Sequence, residues 1–280
     1  MYQPAIPLSG YGGWKLLQST YTRQLEGFTD SSSVKNDRAY LTEKLSSPIS
    51  LDDFMSDRRL LRVSLTAFDL GGEEWKGGFI RKVLEEASDP ESTFLQRLNN
   101  SDYTLYSKTF AFQDGQLSLS AEQVEEIAGN FEAAAFRGAV GEVDNSMRLS
   151  LNYQSKIVEI AGTGSSEETS LYKILGNTPV RNVIGTALNL PADMSKLDID
   201  RQADILKEKL ESVMGISDVA DLTSIDKVDK MLQRYHVMNT INDGPSPTTP
   251  GYAALTLLGG GGSTSGFGAL ASQNLFLSRF

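Results

Sequence analysis

Along most of the chain, up to about position 241, apolar residues recur at intervals of three and four, the spacing of amphipathic helices and not of strands. In "SLDDFMSDRRLLRVSLTAF", Leu51, Phe54, Met55, Leu61, Leu65 and Phe68 fall on one broad face. Ser50 is placed to cap that helix, with Asp53 in its first turn. Ser120 and Gln123 in "SAEQVEEIAGNF" stand at capping-box spacing, as do Ser165 and Glu168 in "SSEETSLYKILGN", a helix expected to finish at Gly176-Asn177. In "DPESTFLQRL", Asp89 is a natural N-cap and Pro90 suits the first helical position. The longest unbroken pattern runs over 121–161, with Gly138 or Gly141 as the expected break. "DIDRQADILKEKLESVMG" follows with Gly215 as its stop, and then "SIDKVDKMLQRYHVMNTIN". Only Tyr103 to Phe112 alternates, weakly, leaving one short strand open. These patterns predict an all-α fold, a multi-helix bundle.

Sliding the chain by 120 positions lays residues 50–70 over 170–190. Ser50, Leu51, Val63, Thr66, Ala67 and Leu70 then meet identical residues at Ser170, Leu171, Val183, Thr186, Ala187 and Leu190, and Asp57 meets Asn177. Amphipathic helices share a pattern by default, so the match is suggestive of two related halves and does not require them. The expected organisation is a first helical half at 1–118 with an N-terminal arm, a second at 119–241 packed on it, and a low-complexity tail at 242–280. In the arm, Ile6, Leu8, Tyr11 and Trp14 suit either packing onto the chain's own body or a strap onto a neighbouring subunit; the sequence leaves both open.

The tail differs in kind. From Asn242 onward the only charged side chains are Asp243 and Arg279. "GPSPTTPG" reads as a linker, and "GGGGSTSG" joins two apolar patches. Exposed apolar patches of low charge invite aggregation, so a cover is expected, either the protein's own body or a partner, with the partner favoured. The candidate partner-binding residues are Tyr252, Leu255, Leu257, Leu258, Phe267, Leu270, Leu275, Phe276 and Leu277.

Charge and chemistry narrow the function by exclusion. With 26 Lys plus Arg against 36 Asp plus Glu, the net charge of −10 argues against a general nucleic-acid binder. There is no cysteine, hence no disulfide, thiolate metal site or Cys nucleophile. No apolar run is long enough to span a membrane, so no insertion is expected. No charge precedes Lys15, so the start lacks the basic region of a Sec signal; the expected location is cytoplasmic, or outside by a Sec-independent route. The single histidine, His236, cannot build a multi-histidine metal site and reads as structural or superficial. "GGGGST" lacks the P-loop lysine, and "GTGSSE" lacks a third glycine and follows a helix. Asp198, Asp200 and Asp204 read as a cap, a first-turn acid and a solvated side chain rather than a cation site. Arg58, Arg59 and Arg62, beside Asp57, suggest intramolecular pairing or a partner contact. No catalytic, cofactor or metal residue is assigned, and the expectation is a non-enzyme.

Taken in order, "YQPAIPLSGYGGWKLLQSTYTRQ", "SDRRLLRVSLTAFDL", "FIRKVLEEA" and "ILGNTPVRNVIGTALNLP" resemble a bacterial family catalogued as domain-of-unknown-function family 1217. The likeness rests most on Pro7-Leu8-Ser9-Gly10-Tyr11 with Trp14 behind, and on residues 57–63, "DRRLLRV". Members of that family are often encoded among flagellar assembly genes. The resemblance implies a helical protein with a structural or assembly-accessory role in the flagellar system, partnering flagellar components or itself. A cytosolic regulator or chaperone-like binding module is the alternative, and a carboxylate-based enzyme a more distant one.

Overall fold

The structure, a computed structural model, describes residues 2–86, 93–98, 100–162, 164 and 166–244. The elements run α1 (Gly10–Thr29), α2 (Ser32–Leu45), β1 (Ile49–Ser50), α3 (Leu51–Ser56), α4 (Arg58–Thr66), a 3-10 turn (Glu74–Lys76), α5 (Gly77–Glu86), α6 (Phe94–Leu98) and α7 (Ser101–Thr109). After β2 (Gln116–Leu117) come α8 (Ala121–Val143), α9 (Asn145–Ala161), α10 (Glu167–Gly176), α11 (Thr178–Ala187), a 3-10 turn (Ala192–Lys196), α12 (Ile199–Met214), a second such turn (Val219–Thr223) and α13 (Ile225–Asp243). The architecture is the expected all-α bundle. Its one sheet among the described residues is the antiparallel pair of β1 and β2, with Ile49 opposite Leu117.

Capping side chains set the helix boundaries, and in three places they place the break differently from the apolar pattern. The stretch after Ser50 is two helices, because Asp57 accepts a hydrogen bond from Leu60 N–H (3.0 Å) and starts a new helix there. Ser50 itself caps α3 through Asp53 N–H, as expected. The long helical run breaks at Asp144, not at a glycine: Asp144 Oδ1 accepts from Ser146 N–H (2.8 Å) and Met147 N–H (3.4 Å), while Gly138 and Gly141 stay inside α8. Residues 101–109 are helical where a strand was open. Asn100 Oδ1 caps them, and Tyr103, Tyr106 and Phe110 are buried at helical spacing. Ser120 and Gln123 form the capping box, and Gly215 at φ 61° ends α12. Ser166 is the cap of α10, through Thr169 N–H; Asp89, Pro90 and Ser165 lie outside the described residues.

The offset of 120 recurs in the geometry. Asp57 and Asn177 cap α4 and α11 at nearly the same backbone angles (φ −82°, ψ 92° and φ −91°, ψ 102°). Both helices end in a left-handed residue, Asp69 (φ 60°) and Asn189 (φ 51°). In each, the next N–H reaches back five residues, Leu70 to Leu65 O (3.0 Å) and Leu190 to Gly185 O (2.8 Å), the Schellman closure. An arginine from a later helix sits at each end: Arg137 of α8 pairs with Asp69, and Arg234 of α13 donates to Ala187 O (3.2 Å). A cation there complements the helix dipole.

Packing makes one continuous core. Helix α8 lies on α2, α4 and α9, and α11 lies between α9 and α13. Helix α1 touches α2, α8 and α13, so Trp14 is fully buried between them. The N-terminal arm runs back along α1, where Gln24 accepts from Ala5 N–H and donates to Ala5 O. Gly13 is required in that turn, because a methyl group at its position would overlap the Leu8 carbonyl. Around α4 and α7, Phe54, Phe68, Tyr106 and Phe110 pack ring on ring with centroids 4.8 to 5.6 Å apart.

Candidate functional site

The sequence candidates fall into two groups. The nine tail positions, from Tyr252 and Leu255 to Phe276 and Leu277, lie outside the described residues. Of the others, His236, Arg59, Arg62, Asp198 and Asp200 each have a structural partner. His236 is 1 % exposed, stacks on Trp14 (centroids 5.7 Å, 26°) and shares a 2.9 Å hydrogen bond between Nε2 and Ser150 Oγ. Ser150 donates its own proton to Ser146 O, so His236 Nε2 carries the hydrogen. Burial pushes its pKa down to about 4, against a weaker upward pull from Asp144. Arg59 and Arg62 both pair with Asp37, at 2.9 and 2.7 Å, and Arg59 lies 4.4 Å over the Tyr40 ring. Asp198 caps α12 and Asp200 accepts from Tyr172 OH, as roles without a cation would have them.

A cleft of about 370 Å³ opens where α4 ends, between its closing turn, α8 and α9. Its floor is an ion network. Arg137 reaches both carboxylate oxygens of Asp69, at 2.8 and 2.9 Å. Beneath it, the buried Lys156 ammonium lies 2.7 Å from Asp102, 3.8 Å from Asp69 and 3.6 Å from Glu159. Burial lowers the Lys156 pKa, but these three carboxylates outweigh it and hold the ammonium above the ordinary lysine range. The floor is therefore charged, two cations among three carboxylates, and Arg137 holds the Asp69 side chain at the closing turn of α4.

The walls are less satisfied. Arg148 of α9 is bonded only to Asn145 Oδ1, at 3.0 and 2.8 Å, and among the described residues it has no carboxylate partner. Its stem fits because Gly141 carries no side chain; a methyl group there would overlap Arg148 Cδ. Asn152 is 5 % exposed, and its Oδ1 has no hydrogen-bond partner among the described residues. Glu74 Oε2 is likewise buried without a donor. A buried acceptor left in this condition costs about 1–3 kcal/mol unless something donates to it. With Arg148 free of a carboxylate among the described residues, the cleft is the candidate binding site.

Beside it stands Trp75, one residue beyond Glu74 and 78 % exposed. The turn that carries it is pinned. Lys76 pairs with Glu73 at 2.6 Å and lies 5.2 Å from the Trp75 ring, and Tyr103 OH donates to Glu73. Gly72, at φ 85°, makes the turn possible. Sequence reasoning passed over this site because its members lie on four separate segments. The one local signal was "GGEEWKGG", an aromatic set among charges and glycines. A second recess of about 340 Å³, between α7, α9 and α10, is less suited: its amides Asn100 and Asn177 are engaged in capping α7 and α11.

Fold and site define an all-α bundle with an arginine-lined polar cleft and an exposed tryptophan on the adjoining turn. The chain belongs to the family described as protein of unknown function (DUF1217), which it matches over residues 67–228. It is also similar to the X-ray crystal structure of a protein from Agrobacterium tumefaciens. That likeness has a TM-score of 0.65 at 26 % identity and covers 84 % of this chain and 97 % of that one. Among curated proteins no match was found. Among the described residues no helix is long and apolar enough to cross a membrane.

Proposed function

We propose that this protein is a non-enzymatic structural or assembly-accessory component of the bacterial flagellar system, acting through protein–protein contacts made at the turn that carries Trp75. The observation that carries the contact reading is Trp75, a tryptophan held almost wholly in water on a pinned turn, with the Lys76 ammonium 5.2 Å from its ring. Tryptophan and arginine are the side chains most enriched among the residues that dominate binding energy at protein interfaces. An exposed tryptophan contributes nothing to this core, whereas its partner-bound burial would remove a large apolar area from water. Binding is favoured over catalysis because Asp69 is committed to Arg137, Asp102 to Lys156, and His236 to Ser150 in the interior. The flagellar setting comes from the family likeness.

The test is swimming on soft agar by a strain lacking the gene, complemented with the wild-type chain or with Trp75→Ala. Wild-type protein should restore the spreading halo and Trp75→Ala should not, although the variant accumulates and melts like wild type. A deletion strain that spreads normally removes the flagellar setting. Full rescue by Trp75→Ala removes the contact surface. Co-sedimentation with isolated flagella separates a structural component from an accessory factor.

A further inference from the structure

We propose that the partner of Trp75 is a second copy of this chain: the indole of one molecule enters the recess between α7, α9 and α10 of the next, head to tail. The inference rests on the contact reading of Trp75 and not on the flagellar setting.

The 120-residue offset shows that the turn does not need its tryptophan. The 3-10 turn at Glu74–Lys76 recurs at Ala192–Lys196, and the same acid–lysine bridge closes each, Glu73 to Lys76 and Asp193 to Lys196. Those pairs stand 120 positions apart, yet the place of Trp75 is taken by Ser195. A serine serves the turn equally well, so the Trp75 indole, 78 % exposed, is available to something outside its own chain.

The recess suits that guest. Its volume of about 340 Å³ falls within the roughly 300–1,000 Å³ of ordinary ligand pockets. Asn100 and Asn177 are engaged in capping, so what the recess offers is apolar: Leu95, Ile160 and Leu105, the last 40 % exposed. Covering Leu105 and Trp75 with each other removes both from water.

Charge names a second copy as the partner. The turn carries two acids and one base, Glu73, Glu74 and Lys76. The recess carries two bases and one acid, Lys108, Lys173 and Glu159, and Glu159 already lies 3.6 Å from the Lys156 ammonium. Lys108 has no carboxylate partner among the described residues. A net-negative turn therefore meets a net-positive recess, in a chain whose overall charge of −10 otherwise keeps copies apart.

The contact runs between molecules. Ser101, Thr104, Leu105 and Lys108 line the recess at helical spacing, whereas Tyr103, which donates to Glu73 of the turn, lies on the opposite face of α7. Each copy thus presents the tryptophan on one side and the recess on the other. Such a heterologous contact builds chains or rings, not two-fold dimers.

The experiment is light scattering on the full chain over a concentration series. Wild-type mass should climb past the dimer, twice 30.5 kDa, as concentration rises. Trp75→Ala and Leu105→Glu should each weaken association by about thirtyfold or more, the loss of a residue that dominates an interface. An equimolar mixture of the two should regain association and stop at the dimer, because only the intact tryptophan of one and the intact recess of the other can meet. Lys108→Glu, a second change in the recess, should weaken association a few-fold, and more at low salt than at high. Thermal melts check that each variant is folded. Wild type that stays at 30.5 kDa up to roughly 1 mM overturns the proposal. So does wild type that stops at the dimer, which marks a two-fold contact, and so does association unchanged in both variants, which places it on another surface. If wild type stays monomeric and Trp75→Ala still fails to restore swimming, the self-contact falls and the contact reading stands with a different partner. If the mixture pairs as expected and Trp75→Ala restores swimming in full, the self-contact stands and the flagellar reading of Trp75 falls.

Discussion

At the scale of single residues, the side chains with the most chemistry are the ones the fold has used for its own purposes. His236 is the clearest case. A neutral imidazole stacked on Trp14, with its Nε2 proton on Ser150, tolerates no charge, which is why its pKa falls to about 4 from 6.5. The sign follows from linkage. Between those values the unfolded chain binds the proton more readily than the folded one, so stability is full above about pH 6.5 and declines as pH drops toward 4. At pH 5 this one group should cost about 2 kcal/mol relative to pH 7. Because the chain has one histidine, its ring resonances can be followed without ambiguity by NMR. They should remain those of the neutral ring through pH 5.5; a midpoint near 6.5 would show that the site is open to water. The arginines follow the same logic, with Arg59, Arg62 and Arg137 each held by an aspartate and Arg148 left over.

At the scale of elements, short polar side chains decide where helices begin, and they do so against the hydrophobic pattern. The apolar spacing of residues 51–68 and of 121–161 continues smoothly across the breaks. Asp57 and Asp144 interrupt it because each satisfies N–H groups that would otherwise be left orphaned at a new helix start. The equivalent caps Asp57 and Asn177 should nevertheless differ in weight. Asp57→Ala should cost about 1 kcal/mol, since the Asp57 cap bond is only partly buried. Asn177→Ala should cost about 2 kcal/mol, because Asn177 is 6 % exposed and the Val180 N–H it serves is buried. Urea titrations of the two variants give the comparison directly, and equal midpoints would refute the burial argument. The recurrence of cap, left-handed closure and arginine in α4 and α11 is the part of the 120-residue offset that identities alone could not establish, since amphipathic helices resemble one another by default.

At the scale of the whole molecule, helix α8 is the element that joins the parts. It packs on α2 and α4 and also on α9, Phe136 meets Phe28 at 5.5 Å, and Arg38 reaches Glu125 and Glu132 from α2. A fragment of residues 1–118 therefore lacks the lid over Leu41, Leu45 and Leu60, all of which are fully or almost fully buried in the intact chain. It should fail to give a cooperative thermal transition, and dispersed amide resonances from that fragment would show that the first helices hold a core without α8. The cleft belongs to this scale too, because Arg62, Asp69, Glu74, Arg137, Arg148 and Asn152 meet only once α8 and α9 are folded against the end of α4.

What could be read along the chain alone was local: helical periodicity, the caps at Ser50, Ser120 and Asp198, the stop at Gly215, and the family, which the chain matches over residues 67–228. Each of these depends on residues within a few positions of one another, where backbone hydrogen bonding and side-chain spacing act directly. Only the tertiary structure decided which histidine and arginine charges were neutralised, which acceptors were stranded, and that Trp75 stays in water while Trp14 does not. Those outcomes depend on what lies across an interface from each side chain, dozens of positions away in sequence, and burial is a property of the assembled core rather than of any segment.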